Sequence, residues 1–409
     1  MKCRHCSADL TLPFLDLGSA PPSNAYLTEA ALRAPEVWYP LRLLACQSCW
    51  LVQTEDHAGR EALFTDDYAY FSSFSSSWLA HSQRYVSDMT ARFGLHAASL
   101  VSEVAANDGY LLQYVQQDGI PCYGIEPTAS TAAAARQKGI EIVERFFGVA
   151  LAEELAAQGR QVDLVAANNV LAHVPDINDF VRGFARLLKP QGVATFEFPH
   201  LMRMVQENQF DTAYHEHYSY LSLTAVQRVF SANGLSLFDV EEHQTHGGSL
   251  RVFAQRSDTG SHPVKGSVAE LLQRELQAGI TSPAFYAGFQ TKTNRVKDDF
   301  CAFLIEAKRE GKRVAAYGAA AKGNTLMNYA GVRPDLLAFV VDRNPAKQNK
   351  FMPGSRIPIV AEDRLKSDRP DYVVILPWNL RVEVMQQLDY IRAWGGQFVT
   401  AVPGLQITR

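Results

Sequence analysis

Between Asp211 and Ser222 the chain reads DTAYHEHYSYLS, and Tyr214, His215, Glu216, His217, Tyr218 and Tyr220 crowd into seven positions. No simple core pattern asks for so many phenols and imidazoles around a carboxylate. Imidazole titrates near neutral pH, and a neighbouring acid or phenol can fix its orientation, so the group is equipped to move a proton. A proton-moving cluster needs a substrate and a second reactant, and the chain on either side has features suited to both.

A second chemical group lies at the start. CRHC and CQSC place Cys3, Cys6, Cys46 and Cys49 in two C-x-x-C pairs. Each pair makes a tight turn that aims two sulfurs at one ion, and two such turns make a closed tetrahedral site suited to structural zinc. Four protein ligands leave no position open, so the metal is expected to fold the region without reacting. In a reducing compartment thiolates on zinc are favoured over disulfides. A redox dithiol is disfavoured because no β-α context follows either pair. Cys122 and Cys301 stand apart and are expected to be small buried side chains.

At 409 residues the chain predicts two or three domains. A hydrophobic content of 47% with 20% charged residues describes a soluble globular protein. No run reaches the roughly 18–20 apolar residues that span a bilayer. MKCRHCSADL has no apolar h-region, so a cytoplasmic protein with no membrane partner is expected. A net charge of −4 without a basic block argues against a nucleic-acid partner. A monomer is expected.

The elements that must position the two groups read as α/β. Residues 1–75 form the metal-binding unit, 76–255 a nucleotide-type unit, and 256–409 a second α/β unit. SLVSEVAANDGYLLQYVQQ predicts a buried strand over 100–105, a turn at Asn107, Asp108 and Gly109, and a helix from Tyr110. Glycine lets the backbone approach a ligand, and the helix start offers free N–H groups. The next strand ends at Glu126, about 20 residues past the turn, where an acid meets ribose hydroxyls in doubly wound sites. A third strand ends at Asn168 and Asn169, with His173 just beyond, and a further one carries Glu197 near its end. Two last strands close the sheet as a hairpin. One edge thus carries Glu103, Asn107, Asp108, Glu126, Asn169 and Glu197, and ligands of open α/β sheets bind at that edge. The 211–222 stretch follows the fifth strand on the same side, which makes it a candidate active site. The aromatic run DDYAYFSSFSSSW reads as a cover over a ligand or as a packing strip between domains. In the last unit Gly318 to Thr325 could cradle a phosphate, with Lys322 adding charge, and reads equally well as a structural turn.

The motif E-x-A-x-N-D-G at 103–109 resembles the first motif of S-adenosylmethionine-dependent methyltransferases, where E/D-x-G-x-G-x-G is usual. CRHC…CQSC, YAYFSSFSSSW, EVAANDGYLL, YHEHYSYLS and YGAAAKGNT follow one another over essentially the whole chain. Together they resemble the sugar C-methyltransferases that act on nucleotide-linked ketosugars. The resemblance implies an N-terminal structural zinc domain, a central S-adenosylmethionine domain and a C-terminal Rossmann-like domain, with substrate between the last two. It assigns cofactor contact to Glu103, Ala105, Asn107, Asp108, Gly109, Glu126, Pro127, Asn168 and Asn169. It implies methylation of the carbon next to the C4 ketone, usually C3, of a nucleotide-linked 4-keto-6-deoxysugar. His217 matches the family's base, and Tyr214, Glu216, His173 and Tyr68 match its supporting residues. Glu216 or a neighbour is expected to orient His217, and Tyr214 and His173 to donate to the enolate or hold the sugar. The sequence departs from the family at Ser7 and Trp50, where glycine is common, and at Tyr218, where phenylalanine is frequent. Methyl transfer to a sugar oxygen or nitrogen, a nicotinamide-dependent dehydrogenase and a zinc-ribbon regulator are the competing readings.

Overall fold

The architecture is that of a computed structural model, which describes residues 1–57, 59 and 71–409. Tyr68 lies outside the described residues. Among the described residues the strands fall into three sheets.

The first sheet begins with β1 (Leu12–Ala20), β2 (Tyr39–Ala45) and β3 (Val52–Thr54), paired antiparallel in that order. CRHC precedes β1 and CQSC forms the turn between β2 and β3. The register, Leu12 opposite Ala45 and Ala45 opposite Val52, brings the two turns together. Ser7 and Trp50 close these turns with N–H bonds to the carbonyls of Cys3 and Cys46, at 2.9 and 2.8 Å. Both have positive φ, 60° and 63°. Only glycine adopts that region without a Cβ penalty, which is the physical reason glycine is common at these positions. Trp50 offsets the strain by stacking on Tyr286, ring centroids 5.9 Å apart.

The second sheet contains β4 (Val101–Val104), β5 (Cys122–Ile125), β6 (Glu141–Val143), β7 (Val162–Asn168) and β8 (Leu188–Pro199), all parallel. The chain steps outward from β4 to β6, then crosses back to β7 and β8. The carboxyl ends of β4 and β7 therefore flank the switch point where open α/β sheets take ligands. Next comes β9 (Ser219–Tyr220), which leaves this sheet and pairs antiparallel with β3. Two residues of the His-Tyr stretch thereby join the N-terminal sheet. The hairpin of β10 (Leu235–His243) and β11 (Ser249–Arg256) completes the second sheet, with β11 antiparallel to β8.

The third sheet has the order β14-β13-β12-β15-β16-β17. Its strands are β12 (Val314–Tyr317), β13 (Val340–Val341), β14 (Ile359–Val360), β15 (Tyr372–Ile375), β16 (Gln397–Thr400) and the antiparallel β17 (Gln406–Thr408). The turn after β12 lies at its switch point. There the Ala319 carbonyl accepts bonds from the Tyr26 hydroxyl at 2.6 Å and from Lys347 at 2.8 Å. Asp342, at the end of β13, accepts the Ala319 N–H at 2.8 Å. Both backbone polar groups of Ala319 in this turn are thus bonded to the chain's own side chains.

The N-terminal sheet is wedged between the other two. Cys3, Cys46 and Cys49 share an apolar core with the helices on the second sheet, while Phe14 stacks on Phe289 at 4.8 Å in a core shared with the third. Cys122 and Cys301 are half-buried, their thiols facing the carbonyls of Leu112 and Ala330. The helix after the first turn starts at Leu112, two residues later than the sequence predicts. Among the described residues no helix is long and apolar enough to cross a membrane.

Candidate active site

The turn after β4 explains its own sequence. Ala105, Asn107 and Gly109 all have positive φ, at 59°, 49° and 75°. These are the positions that glycines hold in the more usual form of the motif. Asparagine tolerates the left-handed region, whereas alanine is strained there by about 1–2 kcal/mol. At Gly109 a Cβ would come within 2.3 Å of Ile140. Glu126 reaches back to this turn and accepts the N–H groups of Asn107 at 2.9 Å and Thr128 at 3.0 Å. Burial pushes its carboxyl up. Glu103 is wholly buried, and burial raises its carboxyl well above the ordinary range, with the Tyr110 phenol tempering the shift. Pro127 follows Glu126 at the crevice and is half-buried.

Asp108 Oδ1, Asn168 Oδ1 and Asn169 Oδ1 are buried without a protein partner. Buried polar atoms of this kind call for a bound polar molecule. Their place at the carboxyl ends of β4 and β7, beside the Glu126 carboxylate, fits the hydroxyl- and amine-rich surface of S-adenosylmethionine. The turn is also covered. Asn107 Oδ1 accepts the Ser72 N–H at 2.9 Å, Asp108 Oδ2 the Ser73 N–H at 3.3 Å, and Lys138 ties Ser73 to the same acid. The described end of the aromatic run is thus a lid on the crevice.

Glu197 does lie at this edge, opposite Asn168, but its carboxylate is engaged within the protein. Its carboxylate accepts His81 and Arg251, both at 2.8 Å, and Thr245 at 2.8 Å. Burial alone would raise this acid, but the His81 hydrogen bond and the Arg251 charge hold it at about 2. It is a satisfied structural ion.

The His-Tyr stretch is held at several points. Ser222 caps the helix Leu223–Ala232 by accepting the Ala225 N–H at 3.1 Å. Glu275 caps it a second time, accepting the N–H groups of Leu223 and Thr224 at 2.7 Å, and is itself bonded to His200. Within the stretch, His217 Nδ1–H donates to the Thr212 carbonyl at 3.0 Å, which leaves Nε2 as an acceptor. The Tyr214 hydroxyl lies 2.7 Å from that Nε2. The His173 ring meets His217 edge-on, centroids 4.6 Å apart. Burial pushes His217 well below the ordinary imidazole range, and the charge of a protonated His173 would add to this. Burial also lowers His173, to about 4. At neutral pH both rings are therefore unprotonated, and His217 presents a lone pair of fixed tautomer.

Glu216 does not orient His217. Its carboxylate accepts Asn24 Nδ2 from the loop after β1 at 2.6 Å, and the Thr212 carbonyl does the orienting instead. Thr212 sits five residues upstream, and a backbone carbonyl leaves no mark in a sequence. His215 Nε2 faces the carbonyls of Tyr39 and Pro40 and is structural. Tyr218 packs under the Arg4 guanidinium at 5.0 Å.

Sequence reasoning did not foresee the contacts that join this stretch to the third sheet. Asp211 accepts the Trp378 indole N–H at 2.8 Å, and burial pushes its carboxyl up to about 6 against the pull of Lys322. Lys322 lies 4.6 Å from the Trp378 ring and donates to the His246 carbonyl at 3.3 Å, so it serves the domain junction. His246, held near pKa 4 by burial, faces Asn169 at 3.1 Å. The available signal was the Trp-Asn pair at the end of β15, polar groups at a carboxyl strand end.

The four cysteine sulfurs lie within 4.8 Å of one another, with Cys3–Cys49 and Cys6–Cys46 both at 3.5 Å. Tetrahedral zinc at about 2.3 Å from each sulfur needs sulfurs about 3.8 Å apart, so the donor set fits. The bond between Cys3 and Cys49 holds the Cys3 thiol down and pushes the Cys49 thiol up, so the pair shares one proton.

Known proteins bear on this arrangement over the whole chain. Three family models match in succession: a "Putative zinc binding domain" over 3–64, a methyltransferase domain over 78–240, and a C-methyltransferase C-terminal domain over 244–403. The C-methyltransferase NovU of Streptomyces niveus is 33% identical over 402 residues, covering 98% of this chain and 95% of that protein. The chain belongs to the C-methyltransferase family. It is an S-adenosylmethionine-dependent methyltransferase with a four-cysteine zinc site. A ubiquinone biosynthesis O-methyltransferase of Bordetella avium is 36% identical over 98 residues, 24% of this chain and 41% of that one. Among solved structures, a 1,6-didemethyltoxoflavin-N1-methyltransferase of Burkholderia thailandensis gives a TM-score of 0.39 at 17% identity, covering 51% of this chain and 96% of that one. Magnesium protoporphyrin IX methyltransferase of Synechocystis gives 0.35 at 18% identity, covering 44% and 83%. These last likenesses are too loose to extend any property to this chain.

Proposed function

We propose that this C-methyltransferase acts on a nucleotide-linked 4-keto-6-deoxysugar, methylating C3, with His217 as the base. The observation that carries the reading is the state of His217: buried, neutral, Nδ1–H locked on a carbonyl, and Nε2 turned to a phenol. The motif resemblance supplies the substrate class. Tyr68 keeps its supporting role in the proposal by that resemblance alone.

The chemistry follows from the residues. A hydrogen next to a ketone is weakly acidic, and its removal puts charge on the ketone oxygen. Catalysis needs a base at the carbon and a donor at the oxygen. His217 Nε2 takes the proton. The Tyr214 hydroxyl, which bonds Nε2 in the ligand-free protein, turns to the substrate and donates to the enolate oxygen. His173 lines the other side of the imidazole and excludes water. Burial makes an isolated imidazolium costly, and the enolate supplies the counter-charge it lacks. The pair is thus stabilised where charge develops and not before. Bound S-adenosylmethionine supplies an activated methyl group for the carbon so formed. The protein's remaining task is alignment. The crevice residues Asp108, Asn168, Asn169 and Glu126 fix one reactant, and the 211–222 stretch fixes the other.

The test is incubation with labelled S-adenosylmethionine and a panel of nucleotide-linked sugars, with and without a C4 ketone, read by mass spectrometry. A methyl on carbon in the ketosugars alone is the expected result. Transfer to oxygen or nitrogen, or turnover of sugars without the ketone, overturns the proposal.

A further inference from the structure

We infer that the four-cysteine clip positions the His-Tyr stretch, and that Gln53 is the positioning residue that joins the two. Gln53 is the middle residue of β3 and is wholly buried. Its Nε2–H donates to the Cys3 sulfur at 3.2 Å, and its Oε1 accepts the Arg4 N–H at 2.9 Å. Its backbone pairs with Ser219 in β9, beside Val52 with Tyr220. The next residue continues the contact. The Thr54 N–H donates to the Tyr218 carbonyl and its hydroxyl to the His217 carbonyl, each at 3.2 Å. Arg4, between two metal ligands, donates to the Thr54 carbonyl at 2.8 Å while lying over the Tyr218 ring. One side chain and one strand thus connect a cysteine sulfur to the backbone of His217.

Two physical points give this link a role beyond packing. A two-residue strand such as β9 does not hold its place alone, and takes its register from the strand beside it. An N–H bond to a metal-bound thiolate is charge-assisted and fixes donor and ligand together. Loading the clip therefore fixes Gln53, β3 fixes β9, and β9 fixes the carbonyls of 217 and 218. Other ties hold the stretch further upstream, through Asp211 to Trp378 and Ala213 to Thr325. His217 is also tied within the stretch to Thr212 and Tyr214, and Leu221 to Leu201, while β3 takes the carbonyls of 217 and 218 and pairs with 219 and 220.

The inference rests on the proposed role of His217 only for its effect on rate, so its main test needs no substrate. Gln53→Met keeps the volume and the backbone pairing and removes both side-chain bonds. Amide exchange by mass spectrometry is measured on the metal-loaded parent, the metal-loaded variant and the chelated parent, with metal content determined for each. The expected result is metal content as in the parent, exchange over 214–222 faster by about tenfold in the variant, and no change over 101–126. Chelation of the parent accelerates the same 214–222 segment, an arm that stands even if the variant does not fold. In the metal-loaded variant kcat falls while the cofactor KM is unchanged. Gln53→Glu, which keeps the acceptor for Arg4 and loses the donor to sulfur, also accelerates 214–222. Unchanged exchange over 214–222 in metal-loaded Gln53→Met overturns the inference, as does chelation that opens 1–12 and 46–51 alone. Faster exchange with undiminished kcat supports the coupling and removes His217 from the chemistry instead.

Discussion

His217 offers two substitutions that divide its contacts between them. In Gln the amide reaches the place of Nε2, where it still meets the Tyr214 hydroxyl, now 2.7 Å from the imidazole. In Asn the amide reaches the place of Nδ1 and still donates to the Thr212 carbonyl, now at 3.0 Å. Each variant loses one hydrogen bond, about 1 kcal/mol of stability, and neither side chain can take a proton at neutral pH. General-base catalysis is worth about 10²–10⁴ in rate, or about 3–5 kcal/mol at about 1.4 kcal/mol per decade. The chemical loss thus exceeds the structural one severalfold. Both variants should fold, bind S-adenosylmethionine within about twofold of the parent by calorimetry, and lose at least about a hundredfold in methyl transfer. Deuterium wash-in from solvent at C3 of the ketosugar, followed without methyl transfer, should fall in parallel. Wash-in and turnover within about tenfold of the parent in either variant would refute the assignment of the base.

Other expectations follow from the same geometry. Ser7→Gly relieves a left-handed φ that costs a non-glycine residue about 1–2 kcal/mol, less about 0.4–1 kcal/mol for the freer unfolded chain, so thermal melting of the metal-loaded protein should rise or stay level. Gly109→Ala forces a Cβ to within 2.3 Å of Ile140 in a turn with φ of 75°, and calorimetry should record weaker cofactor binding with the metal content unchanged. Asn24→Ala removes a donor to the buried Glu216 carboxylate at 2.6 Å, a bond of a class worth about 1.5–3 kcal/mol, and urea unfolding should register a loss of that order. His173 and His246, both near 4, bind fewer protons in the folded protein than in the unfolded chain between pH 4 and 6.5, so the stability they contribute is complete above that window and falls as pH drops through it. Asp211, raised to about 6, binds more proton when folded and acts with the opposite sign below pH 6, so replacing both histidines by Gln should flatten the acid limb of a urea-unfolding profile that Asp211→Asn leaves steeper. The kcat/KM profile should show no acid limb at 6.5, because His217 lies well below that value.

What was readable in the sequence was local. The strand, turn and helix of 100–117 carry their signal within twenty residues, and the four thiols identify themselves by spacing. The contacts that sort the site residues into roles are not local. Glu216 finds Asn24 across 192 positions, Glu197 finds His81 across 116, and Asp211 finds Trp378 across 167. A carboxylate in a sequence has no direction, so Glu197 reads as a ligand group and Glu216 as an orienting one until the partners are seen. β9 is the extreme case, since two residues have no periodicity to detect. The glycine positions held by Ser7, Trp50, Ala105 and Asn107 show the reverse. There the departures from pattern correspond one for one with positive φ.

The turn after β12 has a consequence for selective inhibition. Two strand-turn-helix cradles of similar build occur in one molecule, and a nucleotide mimic meets them on unequal terms. At the second, it must first evict a phenol and an ammonium group already bonded to Ala319 and break the Asp342 contact. Adenosine-like compounds should therefore compete at the crevice of the second sheet alone, and resistance to them should arise by mutation there and not in the C-terminal third of the chain.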